Sequence, residues 1–111
     1  MSKKEFSDKT AAILAKVVAE RQKQDAKWGE QNHNPIEWSA ILTEECGEVA
    51  KEALEYHFYT KKDSEQLATK TLSDWQKEKL SKYRTELIQV AAVAVAMLES
   101  LERNELSEEK I

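Results

Sequence analysis

The sequence predicts an all-α domain, and three observations carry that expectation. Only two glycines and one proline occur in 111 residues, so backbone breakers are scarce. Strong helix formers (Ala, Leu, Glu and Lys) are abundant, and no segment shows the strict alternation of a half-buried strand. Apolar residues recur instead at the three- and four-residue spacing of a helix face.

The first helix is expected to open near Asp8, with Ser7 as N-cap and Phe6 placed to pack as a hydrophobic staple. Ile13, Leu14, Val17 and Val18 form its stripe to about Lys27, where Trp28-Gly29 breaks it. A polar loop, Glu30 to His33, follows. Asn34-Pro35-Ile36-Glu37 starts the second helix: Asn34 caps, Pro35 takes the first position where a missing N–H costs nothing, and Glu37 completes a capping box. This helix is expected to reach about Phe58. At ~100° per residue, Trp38, Leu42, Cys46, Val49, Ala53 and Tyr56 share one face, which makes Cys46 a buried, inert thiol. Glu45, Glu48, Glu52 and Ile41 border that face, and Glu44 turns towards solvent. Residues 60–71 read as a polar connector. Ser73-Asp74-Trp75-Gln76 reads as a capping box opening a third helix that continues past Leu101. From Leu87 to Met97 the only polar side chain is Gln89, so this helix is apolar all round. Two other helices can hardly cover it, and a partner subunit is expected over Val90–Leu98. The expected domain is single, with its core at about 8–101 and a solvated tail at 102–111.

Net charge is −4, with both signs interspersed, which argues against a nucleic-acid polymer as partner. No stretch has the apolar length of a membrane span, and the N-terminus does not read as a signal peptide. One cysteine excludes an intrachain disulfide and fits a reducing compartment, so a soluble cytoplasmic protein is expected.

The chemistry-bearing residues are Glu44-Glu45-Cys46-Gly47-Glu48 and Glu86-Leu87-Ile88-Gln89. Glu45/Glu48 and Glu86/Gln89 are each spaced three apart, which sets both members of a pair on one helix face. Two such helices side by side bring three carboxylates and a carboxamide into one cluster. Packed carboxylates repel and resist ionising, so the cluster wants a hard cation. Oxygen-only donors without His or Cys point to Mg²⁺, with Mn²⁺ as an alternative, rather than zinc. Glu45, Glu48 and Glu86 are favoured as ligands because they border an apolar face. For Glu44 and Glu52 a plain solvated role stands equally open.

Glu-Glu-x-x-Glu on one helix and Glu86-x-x-Gln89 on the next, together with Arg21-Gln22-Lys23-Gln24-Asp25-Ala26-Lys27-Trp28-Gly29, resemble the MazG-like all-α nucleoside triphosphate pyrophosphohydrolases. The likeness spans about Glu20 to Leu101 and is to the short, stand-alone members. It implies an antiparallel helical bundle completed by dimerisation or tetramerisation. It also implies Mg²⁺-dependent cleavage of nucleoside triphosphates, ribo or deoxy, to monophosphate and pyrophosphate. Carried over residue by residue, Glu45, Glu48 and Glu86 match three of the metal-holding acids. Gln89 stands where the family pattern has Asp. A Gln carbonyl can coordinate Mg²⁺ but brings no charge and cannot act as a base, so a weak or inactive relative that binds nucleotide or protein is the alternative.

Within that reading the catalytic set is Glu44, Glu45, Glu48 and Glu86, with Glu44 or Glu52 orienting water or supporting the ligands. Lys51, Lys82 and Arg84 are candidates to meet phosphate oxygens, Arg84, within one turn of Glu86, being the best of the three. Trp28, following Lys27, is the expected base platform, preferred over Trp38, which sits on the core stripe. Asn32, His33 and Asn34 are candidates for a base edge.

Overall fold

Three helices are laid out as the sequence predicts in a computed structural model that describes residues 7–58 and 72–107: α1 (Asp8–Trp28), α2 (Pro35–His57) and α3 (Leu72–Asn104). Ser7 caps α1 by accepting from the Thr10 N–H, and Gly29, at φ 72°, ends it with its own N–H on the Asp25 carbonyl. That positive φ is where a side chain would strain the backbone, so glycine suits the stop. The α2 capping box forms in full. Asn34 Oδ1 accepts from the Glu37 N–H at 2.8 Å and Glu37 Oε1 from the Asn34 N–H at 3.0 Å. At α3 the helix already includes Leu72 and Ser73, so Ser73 stands inside the first turn rather than at the cap. Phe6 and residues 60–71, expected as staple and connector, lie outside the described residues.

The central element is α3, which packs against both α1 and α2. Ala92, Val93 and Ala96 are buried along it, against Val17 of α1 and Trp38 of α2. Alanines four apart present almost no side-chain bulk, which lets neighbouring backbones come close. Ion pairs tie the helices where they meet. Arg21 bonds Glu99, as well as Asp25 and Gln24 on its own helix. Lys79 of α3 reaches Glu52 at 3.0 Å and Glu55 at 3.3 Å on α2. Burial pulls the Lys79 ammonium down, but the bonds to Glu52 and Glu55 outweigh it and raise its pKa.

The α1–α2 loop is held by the C-terminal end of α3. Asn32 Oδ1 accepts from Arg103 Nη2 (2.8 Å), Arg103 Nε (3.2 Å) and Asn104 Nδ2 (2.8 Å), while Arg103 Nη2 also donates to the Gln31 carbonyl. Residues 102–104 therefore belong to the folded unit. The expected solvated tail starts too early, because Arg103 and Asn104 find acceptors in the loop.

The all-apolar segment of α3 is divided between interior and surface. Val93 faces the core, whereas Leu87, Val95 and Leu98 stay exposed, as do Ile13, Leu14 and Val18 on α1. Among the described residues no helix is long and apolar enough to cross a membrane.

Candidate functional site

The face that α2 turns inward is wider than the expected one. Trp38 and Glu52 are buried and Ile41, Leu42, Glu45, Val49, Ala53 and Tyr56 half-buried, so five of the six expected stripe members hold, while Cys46 is exposed. Positions 38, 41, 45, 49 and 52 step by three or four residues, so this stripe keeps helical register but runs through the glutamates. Cys46 is thus not the buried thiol expected. Its apolar character made it look like a stripe member, but the stripe passes beside it.

That wider face takes in Glu45, whose carboxyl feels the charge of Glu86 on α3. Burial pushes the Glu45 carboxyl above its usual range, and the charges of Glu86, Glu44, Glu48 and Glu20 add to the rise. The Glu86 carboxyl is raised by burial first, then by Glu48 and Glu52, with Lys51 opposing. Acids from three helices therefore share one field, and the expected trio of Glu45, Glu48 and Glu86 is mutually coupled within it. Such a field disfavours full ionisation unless a cation enters. Glu44 and Glu48 are exposed at its edge.

The donors are carboxylate and carboxamide oxygens on long, rotatable side chains, which fits Mg²⁺ or Mn²⁺ chemically. Among the described residues no three His, Cys, Asp or Glu side chains stand close enough to hold a metal ion as they lie.

Gln89 is half-buried and faces a cavity of about 250 Å³ between the three helices. Glu20, Gln24 and Trp28 of α1 line it, with Gln31 of the loop, Trp38, Ile41 and Glu45 of α2, and Gln89, Val93 and Ala96 of α3. Its floor is apolar and its rim carries three carboxamides, two carboxylates and the exposed Trp28 ring. Since Glu20 and Glu45 belong to both, cavity and acid cluster are continuous.

The remaining expected residues divide. Glu52 is buried in its bond to Lys79, so it is held by protein rather than presented to a substrate. The sequence placed it at the border of the stripe but gave no pointer to a partner 27 residues away. Lys51 is exposed, and its charge bears on Glu86. Lys27 sits with its Nζ 4.7 Å from the Trp28 ring centroid. Arg84 lies on a different side, in a groove between α1 and α3 with Lys16, Lys23 and Glu20. Asn32 and Asn34 are committed to the loop clasp and the helix cap, and His33 packs edge-on to Trp38 at 4.8 Å, so these three are not presented to the cavity as expected. Sequence reasoning missed Glu20, Gln24 and Gln31. The first two had a signal, since Glu20, Gln24 and Trp28 are spaced four apart on one face of α1.

Comparison with protein-family models, with curated proteins and with solved structures finds no match.

Proposed function

We propose that this chain is a nucleoside triphosphate pyrophosphohydrolase that depends on Mg²⁺, with Mn²⁺ as a substitute. The observation that carries the reading is the continuity of the Glu45/Glu48/Glu86 field with a small cavity walled by Trp28 and three carboxamides. A flat aromatic face and amide edges suit a base, and repelling carboxylates beside it suit cation-bound phosphates. The resemblance in the acidic motifs points the same way.

In this reading Glu45, Glu48 and Glu86 hold the cation, with the Gln89 carbonyl as a neutral fourth donor. Bound there, Mg²⁺ would neutralise phosphate charge and acidify a coordinated water. Trp28 stacks on the base, and Gln24 and Gln31 donate to and accept from its edge. Lys51, beside Glu86, meets phosphate oxygens. Glu44, exposed at the edge of the cluster, orients the attacking water and takes its proton. The water oxygen bonds to the α-phosphorus, the α–β anhydride bond breaks, and monophosphate and pyrophosphate leave. Glu52 supports the site from behind, its charge held by Lys79.

The working form is a homo-oligomer, dimer or tetramer. Exposed Leu87, Val95 and Leu98 provide an apolar face on α3 for it. Val93 is not part of that face, because it is already buried within the protomer.

A second reading is favoured by Gln89: without a fourth charge, the site binds nucleotide and turns it over weakly or not at all. Glu48→Gln separates the two. It is exposed and nearly isosteric, so the helices should persist by circular dichroism while pyrophosphate release with Mg²⁺ falls at least tenfold, since one of three anionic ligands is lost. Wild-type turnover in that variant at limiting Mg²⁺ would remove Glu48 from the site. Nucleotide binding by a wild-type chain that releases no pyrophosphate would favour the second reading.

A further inference from the structure

Most cations placed on the core of this fold are committed. Arg21 is held by Glu99 and Asp25, Lys79 by Glu52 and Glu55, and Arg103 by Asn32 and the Gln31 carbonyl. Lys16, Lys23 and Arg84 differ. All three are exposed and line one groove of about 270 Å³ between α1 and α3, and among the described residues none makes a hydrogen bond or ion pair. Lys16 and Lys23 are seven apart, two turns of one helix face. Ala19 and Ile88 line the groove with them, and Thr85 adds a hydroxyl. In a chain of net charge −4, three like charges on one groove repel one another, and a small polyanion removes the repulsion.

The position of this groove gives it a direction. Glu20 lines both the groove and the cavity, and its charge acts on Glu45. Cavity and groove therefore meet at Glu20, with the aromatic cavity and Glu45 on one side of it and the three cations on the other. Resting on the hydrolase reading, we propose that Lys16, Lys23 and Arg84 form the subsite for the β- and γ-phosphates, which becomes the pyrophosphate site after cleavage. The substrate then runs from base in the cavity, past the α-phosphate at the carboxylates, to the pyrophosphate end between α1 and α3. An extended nucleic-acid backbone is disfavoured there, because the adjoining acid cluster repels its continuing phosphates.

The test is calorimetric binding of magnesium pyrophosphate, and separately of a nucleoside monophosphate, to the full chain. Wild type is compared with Lys23→Gln/Arg84→Gln and with the charge control Lys9→Gln/Lys77→Gln, which removes the same two charges. All substituted positions are exposed, so folding should be kept, as circular dichroism checks. The groove variant should lose pyrophosphate affinity by about tenfold or more at low ionic strength, and wild-type affinity should fall as salt is added. Monophosphate affinity should be unchanged, and the charge control should match wild type for both ligands. Equal pyrophosphate affinity in the groove variant, or no pyrophosphate binding by wild type, overturns the subsite. Equal loss in the charge control also overturns it, because the effect would then be net charge alone. If wild type binds pyrophosphate through the groove but hydrolyses no triphosphate, the subsite stands as an anion site and the hydrolase reading falls.

Discussion

Replacing Lys79 with Met removes the cation that holds Glu52, and the structure bounds the outcome. The two charges stand 3.0 Å apart, with Lys79 13% and Glu52 11% exposed at the side chain. At an effective dielectric of about 20 that distance corresponds to roughly 5 kcal/mol of attraction, part of which offsets the cost of desolvating both groups. Met preserves most of the stem packing, so the variant chiefly leaves Glu52 buried without a counter-charge. Removing one partner of a buried pair typically costs roughly 3–5 kcal/mol, and the partial exposure of both groups lowers that figure here. The expected loss is therefore ~2–4 kcal/mol at pH 7, or a fall in Tm of order 10 °C at fixed protein concentration. Denaturant unfolding at pH 7 measures it. Adding Glu52→Gln to the variant should recover more than half of it, because the buried charge is gone. A loss under ~0.5 kcal/mol, or no recovery in the double variant, would refute a buried Lys79–Glu52 pair as a tie between α2 and α3.

Gln89→Asp supplies the missing fourth charge and should lower the Mg²⁺ concentration for half-maximal activity; a destabilised variant that Mg²⁺ does not rescue in a thermal melt would take Gln89 out of the site. Leu98→Glu, at a position 58% exposed, should shift the particle to a monomer in light scattering with helicity kept, and a wild-type monomer at micromolar concentration would remove the oligomer altogether. Glu45 and Glu86 are both raised from 4.5 in the folded chain, so their contribution to stability is full below that value and is lost as pH rises through the raised values. Stability without divalent cations should accordingly decline upward from about pH 4.5, and stabilisation by Mg²⁺, read from denaturant midpoints, should grow over the same window as protons cease to compete. A Mg²⁺ effect that is flat with pH would disconnect the cation from these two carboxyls.

Local signals in the chain transferred well to the structure. Ser7, Gly29 and the Asn34-Pro35-Ile36-Glu37 box act through contacts within four residues, so their geometry is written in the immediate sequence. The same holds for the i, i+3 pairing of the glutamates. What could not be read locally was the width of the inward face of α2. Trp38, Leu42, Val49, Ala53 and Tyr56 turn inward as their period predicts, but Glu45 and Glu52 join them and Cys46 does not. For Glu52 the pairing with Lys79 decides it, and that contact is not local. Long-range partners were hidden for the same reason: Arg103 and Asn104 read as tail residues because their acceptors, Asn32 and the Gln31 carbonyl, lie some 70 positions earlier. The cavity was half legible. Trp28 drew attention by its ring, but Gln24 and Gln31 are ordinary polar residues until three helices enclose them.

The central claim is that a cation-dependent site on α2 and α3 splits a nucleoside triphosphate between its α- and β-phosphates. Phosphorus NMR of the products answers it most directly, with wild-type chain, Mg²⁺ and the common ribo- and deoxyribonucleoside triphosphates. Equimolar monophosphate and pyrophosphate from at least one substrate, abolished by a chelator and strongly reduced in Glu48→Gln, is the expected result. Orthophosphate with diphosphate, or no cleavage of any triphosphate tested, would contradict the claim.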